Sequence, residues 1–161
     1  MVLCGLFSAL LAICAWICVP VFHVTYTLQT FALFLALTTL GGKWGTLAIG
    51  IYLLLGAVGV PVFSGFRGGI GALLGVTGGF LWGFLLTGIL YWIFERLCKP
   101  AGIFAGLLGC YLCGCAWYCV YMGNVGIPAA ILQCVVPYVI PDILKICLAH
   151  YVSKRLQHSI P

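Results

Sequence analysis

Charge is what this chain has least of. Of its 161 residues only 6% are charged and two are acidic, whereas 65% are apolar. A soluble particle of this size would need a charged surface around its core, so a water-soluble domain is excluded. The two acids, Glu95 and Asp142, are far apart, one near a loop and one in an apolar run. They supply neither paired carboxylates nor a nucleophile with its base, which argues against an enzyme. The three histidines, His23, His150 and His158, are not spaced with the cysteines as ligands, so no metal site is expected. The start, Met1-Val-Leu-Cys-Gly-Leu-Phe, lacks the basic stretch and small-residue cleavage site of a signal peptide, and its apolar segment is expected to be retained.

Apolar residues, glycine and cysteine are abundant instead. The ten cysteines include Cys14, Cys18, Cys110, Cys113, Cys115, Cys119 and Cys147 inside apolar runs, where a thiol packs as a small hydrophobe. Cys110 and Cys113 have redox-motif spacing, but no strand or soluble fold surrounds them. A bilayer removes the need for a charged surface and asks about 20 apolar residues of each spanning helix. Apolar runs read against their breakers predict six spans, near 2–20, 28–41, 43–60, 71–95, 101–122 and 138–156. Pro20 and Pro61 close the first and third. Gly41-Gly42-Lys43 turns between the second and third, and Gly123-Asn124 with Pro128 opens a loop before the last. The fold class expected is an all-α integral membrane protein, one membrane-embedded domain over residues 1–161, with no length left for an ATPase or nucleic-acid-binding domain.

The net charge of +5 reads as orientation, not as an acidic partner. With alternating spans, Lys43, Arg96, Lys99, Lys154 and Arg155 fall on one side, which the positive-inside rule makes the cytoplasm, with both termini inside. Glu95 and Lys99 are spaced to pair at i,i+4. Arg67, on the outer side, and Asp142 and Lys145, at the outer end of span six, are left to explain. Residues 56–83 are dense in glycine. Gly71, Gly75, Gly79 and Gly83 recur every four residues as a stripe for close helix approach, and residues 65–71 read as a loop tucked into the outer half of the bundle. A phosphate-binding loop is excluded, because no Gly-Lys-Ser/Thr ending and no preceding strand are present.

The blocks Thr27-Leu-Gln-Thr30, Gly50-Ile-Tyr-Leu-Leu-Leu-Gly-Ala-Val-Gly-Val-Pro-Val-Phe63, Gly68-Gly69, Gly75-Val-Thr-Gly-Gly-Phe80 and Asp142-Ile-Leu-Lys145 closely resemble the BioY family. Its members are the substrate-binding S components of energy-coupling factor (ECF) biotin transporters, and the resemblance runs through nearly the whole chain in order. It implies a six-transmembrane-helix S-component fold and a biotin site opening outward. It also implies no enzymatic activity or cofactor, and dependence on a transmembrane coupling protein and two ATPase subunits in the bacterial cell membrane. The departures are Val76 for proline, Phe80 for tyrosine, Ile140-Pro141 for Pro-Gly, the loss of prolines near His23 and Thr25, Arg67 for a small or amide residue, and Leu81 where some members have arginine. The last two imply that the cation for a ligand carboxylate has moved within the pocket. The alternative is an S component for a different carboxylate-bearing vitamin.

Biotin presents a cyclic urea, an apolar ring and chain, and a carboxylate, and each buried polar group left unpaired costs roughly 1–3 kcal/mol. Asp142 suits the urea N–H groups, with Lys145 on the same helix face; the competing reading is an N-cap of span six. An ionised residue inside a membrane helix costs roughly 2.5–3.5 kcal/mol and is usually functional. Arg67 suits the carboxylate, against the reading of an arginine snorkelling to headgroups. Gln29 is either a ligand contact or an interhelical hydrogen bond. Gly68, Gly69, Thr77, Phe80 and Tyr138 complete the candidate site. In span one, Ser8, Ala9 and Ala12 are small residues that permit close helix contact, and the resemblance makes this helix the docking face for the coupling protein.

Overall fold

The computed structural model describes residues 1–21, 24–123 and 125–159; His23 and Asn124, both noted in the sequence, lie outside these. In chain order the elements are α1 (Val2–Trp16), β1 (Cys18–Val21), β2 (Val24–Thr27), α2 (Gln29–Val58), α3 (Ile70–Leu73), α4 (Gly78–Phe94), α5 (Lys99–Met122), α6 (Ile127–Cys134) and α7 (Val136–Ser159). By length and apolarity alone, α2, α5 and the bent α6–α7 pair are able to cross a bilayer, while α1 and α4 are shorter apolar helices. This is a multi-pass membrane protein.

Helix α2 is two spans. Gly41, at φ 79°, breaks the helical path, a conformation that glycine adopts without penalty. Gln29 Nε2 then donates to Tyr52 Oη at 2.6 Å, 23 residues on, where a straight helix would hold them about 35 Å apart. The expected turn at Gly41-Gly42-Lys43 is therefore where the chain reverses. A methyl on Gly42 would overlap the backbone of Trp92, and Glu95 Oε2 accepts the Gly42 N–H at 2.8 Å. That carboxylate stands at the start of the second arm of α2, where exposed N–H groups favour an anion. Glu95 thus bonds to another helix, whereas its spacing suggested Lys99.

The packing partners fix the direction of each segment. Ser8 lies against Ala48, and Cys4 against Trp44, so α1 runs parallel to the second arm of α2. Gly83 meets Cys110, and Thr87 Oγ1 lies 2.9 Å from Gly106 O, so α4 and α5 are antiparallel. Tyr26, just before the first arm, meets Tyr138 near the start of α7, and Thr39 Oγ1 donates to Ser153 Oγ near the far end of both, which sets α7 parallel to the first arm. The six predicted segments alternate. Their basic ends gather where Gly42, Glu95 and Gln157 meet neighbouring segments, away from the Arg67 loop.

Three boundaries differ from the sequence reading. The first helix stops at Trp16, and Pro20 lies in an antiparallel hairpin opposite Thr25 instead of ending a helix. The expected span 71–95 is split into α3 and α4, because Gly78 packs directly on the Leu73 backbone. Gly75 O accepts the Gly78 N–H at 2.9 Å in the turn between them, and Trp117 Nε1 of α5 donates to the same oxygen at 3.0 Å. Gly79 and Gly83 of the expected glycine stripe pack on α5, but Gly71 is open. Before the last span, Pro128 sits in the first turn of α6, where its missing N–H costs nothing, and a 41° bend leads into α7.

The core is the interface of α1, both arms of α2 and α4, with Leu11, Leu33, Phe34, Leu37, Ile49 and Tyr52 almost fully buried. At the end opposite the basic charges, Trp16 Nε1 donates to Pro61 O and its ring stacks on Phe66 at 5.1 Å. This ties the glycine loop to the top of α1. Phe66 takes φ 56° between Gly65 and Gly69, both also at positive φ, and Phe63 N–H bonds Arg67 O at 2.9 Å. Gly65 to Gly68 are exposed, so the loop is a tight surface turn, not a buried one.

Candidate functional site

A cavity of about 770 Å³ opens between α2, α4, α5, α6 and α7, within the range of small-molecule sites. Leu33, Phe34, Phe63, Phe84 and Leu107 give it apolar walls. The charged residues lining it are Arg67, Asp142 and Lys145, two cations and one anion, for a net +1. They are the three charges that membrane orientation left unexplained.

Asp142 is 4% exposed. It stands inside α7, well past that helix's first turn, so the N-cap reading is wrong and the residue is deeper than the outer end of the span. Lys145 Nζ donates to its Oδ1 at 3.0 Å, as the i,i+3 spacing suggested. Tyr111 Oη donates to its Oδ2 at 2.7 Å from the middle of α5. Among the described residues no buried side-chain nitrogen or oxygen lacks a partner, so this carboxylate is already satisfied within the protein. Because Lys145 neutralises Asp142, Arg67 is the uncompensated charge on the cavity wall. Arg67 is exposed, and its Nε donates to Ser64 O at 3.2 Å, which leaves the outer edge of the guanidinium fork for a ligand.

Gln29 makes the hydrogen bond between spans that one reading gave it, and it also faces the cavity that the other reading needs. It is buried on the cavity wall and sits in a chain of hydrogen bonds. Thr27 Oγ1 donates to its Oε1 at 3.3 Å, its Nε2 donates to Tyr52 Oη, and Tyr52 donates to Val62 O at 3.2 Å. Thr77, Phe80 and Tyr138 also line the cavity. Tyr138 packs at 5.4 Å on Tyr26 of β2, whose Oη donates to Pro137 O at 3.3 Å. That carbonyl is available because Pro141, four residues on, has no N–H to offer it.

Two expected groups are placed elsewhere. Gly68 and Gly69 are not in the cavity wall. Gly68 lies against the Val60 backbone and Gly69 N–H bonds Gly56 O, so both shape the loop that carries Arg67. Ser8 and Ala12 do not form an open docking face, for they are 2% and 7% exposed. Ser8 Oγ lies 2.7 Å from Ala48 O and 2.8 Å from Cys4 O, and this side of α1 is its contact with α2. Of the three small residues Ala9 alone is exposed, with Gly5 one turn below it.

The polar wall residues that sequence reasoning missed are Thr27, Thr30, Ser64, Thr87, Tyr111, Tyr118 and Gln133. Tyr118 Oη donates to Gln133 Oε1 at 2.8 Å and joins α5 to α6 at the exposed rim. A signal for Tyr111 existed: a carboxylate buried in a membrane needs a second-helix donor, and Tyr111 lies mid-span, away from the interfaces where tyrosine is otherwise at home.

Compared with known proteins, the chain matches the sequence profile of the BioY family over residues 1–161. It is 39% identical over 158 residues to the biotin transporter BioY of Thermotoga maritima, covering 95% of this chain and 92% of that one. It is also 39% identical over 155 residues to the probable biotin transporter BioY of Pyrococcus horikoshii, covering 96% and 94%. The crystal structure of the S-component for biotin from an ECF-type ABC transporter superposes with a TM-score of 0.86, at 23% identity, over 98% of this chain and 89% of that one. At that identity the likeness speaks for the fold.

Proposed function

The chain is a member of the BioY family, and from that premise we propose that it binds biotin in the cavity described above and is the substrate-specific subunit of an ATP-driven ECF vitamin importer. In this reading residues 1–161 are a single membrane domain that recognises the vitamin. A transmembrane coupling protein and two ATPase subunits drive its delivery to the cytoplasm and hydrolyse the ATP. The protein resides in the cell membrane with both termini in the cytoplasm, because Lys43, Arg96, Lys99, Lys154 and Arg155 collect at one end of the bundle.

The observation that carries the reading is the separation of roles among the three cavity charges. Asp142, neutralised by Lys145, presents acceptor oxygens in a buried place, as the two urea N–H donors require. Arg67 presents an uncompensated fork to a carboxylate. Phe34, Phe63 and Phe84 supply apolar walls for the ring and butylene chain. Lys145 is committed to Asp142, so the carboxylate belongs to Arg67. The direct test is binding of radiolabelled biotin to the purified, detergent-solubilised chain. Saturable binding, displaced by unlabelled biotin and not by other carboxylate vitamins, is expected. Heat protection by another vitamin and none by biotin would transfer the site to that ligand.

Coupling is assigned to the exposed Gly5 and Ala9 side of α1. A small-residue surface lets another helix approach closely, and the neighbouring Ser8 and Ala12 side is already occupied by α2.

A further inference from the structure

The Asp142 carboxylate is held from two directions. Lys145 lies on the same helix, three residues on, and its ammonium sits on Oδ1 at 3.0 Å. A pair of this kind fixes a charge but leaves direction loose, since both side chains can turn together about their own bonds. Tyr111 is different. It comes from α5, on the far side of the α5–α7 cleft, and its hydroxyl meets Oδ2 at 2.7 Å. A phenol on a two-torsion side chain has little freedom. A carboxylate offers about four lone-pair sites; these two bonds use one on each oxygen and leave one on each.

We propose that Tyr111 is a positioning residue for substrate recognition, which locks the Asp142 carboxylate so that its free lone pairs accept the paired N–H donors of a cyclic urea. The inference rests on the biotin reading above. It assigns Tyr111 a role through Asp142, not a contact of its own with the ligand, because its single O–H proton is already donated. Specificity follows from direction. A carboxylate fixed at both oxygens rewards two donors held at a set spacing, and rewards a single donor much less.

The test is a double-mutant cycle on biotin binding by the purified full chain. Tyr111→Phe keeps the ring in the cavity wall and removes only the hydroxyl; it is expected to weaken biotin by about tenfold or more. In the Asp142→Asn background the same Tyr111→Phe change is expected to have almost no further effect, since the group it orients is gone. Equal losses in both backgrounds would overturn the proposal and make Tyr111 a direct contact or a packing residue. Should Tyr111→Phe fail to accumulate, Asp142→Glu serves. It keeps the charge but carries the carboxylate one methylene away from the hydroxyl, and is expected to lose biotin to a similar extent; wild-type affinity there would also overturn it. Wild-type chain that binds no biotin at all would strike the function itself, whereas normal wild-type binding with an additive cycle would strike only this inference.

Discussion

At the residue scale, the cavity charges make separable predictions. Asp142→Asn keeps the shape but replaces an acceptor by a donor, and should weaken biotin by about 2 kcal/mol in a binding isotherm. Arg67→Ala should weaken biotin strongly and biotin methyl ester little, since only the acid has a charge for the guanidinium to meet. Equal weakening of both ligands would mean damage to the fold instead. These residues were legible in the sequence because a charge inside an apolar run has few explanations, and the pairing of Asp142 with Lys145 followed from spacing alone. Their surroundings were less legible. Tyr111 carried only the signal of its mid-span position, and spacing could not connect it to a partner 31 residues away on another helix. Gly68 and Gly69 were misplaced because glycines beside a site look alike whether they face the ligand or shape the backbone behind it; here the Val60 carbonyl lies against Gly68, and Gly69 takes a positive φ.

At the element scale, small residues mark where helices meet but not which neighbour they meet. Ser8 and Ala12 serve α2, and across the α4–α5 contact Gly102, Gly106 and Gly114 answer Tyr91, Thr87 and Phe80 in a stripe the sequence reading passed over. The split of the fourth span was likewise illegible, since it lies in a local turn, with Gly78 against the Leu73 backbone and its N–H on Gly75 O, inside a run that is apolar throughout. Two measurements follow. Ala9→Trp should abolish ATP-driven uptake while the isolated chain still binds biotin. Ser8→Trp should instead lower the heat stability of the isolated chain, because an indole cannot fit at the α1–α2 contact, and overpacking there costs about 1–3 kcal/mol or more. The reverse outcome would move the docking face back to the Ser8 side. Glu95→Ala removes the anion that caps the second arm of α2 and should cost about 1 kcal/mol of stability in a thermal melt, with biotin affinity at the far end of the bundle unchanged.

At the scale of the whole molecule, alternation of the six segments was legible from breakers and charge together, because each basic cluster had to return to the same side. Cysteine labels near Lys43, Lys99 or Arg155 should react only with reagents admitted to the cytoplasm, and one near Arg67 only from outside; outside labelling at Lys99 would reverse the orientation. Not legible was how the bundle closes. The last helix does not rest mainly on the one before it but returns to the first arm of α2 through Thr39, Ser153 and Gln157. Synthesis meets this arrangement in one direction only. Tyr111, Gln29 and Arg67 are all made before the carboxylate that completes the pocket, so through most of translation the cavity is a trough with one wall missing. A nascent chain halted at Ile140 would carry five of its six crossings and hold no vitamin. Any stabilisation that the ligand gives to folding therefore arrives at the final step of assembly.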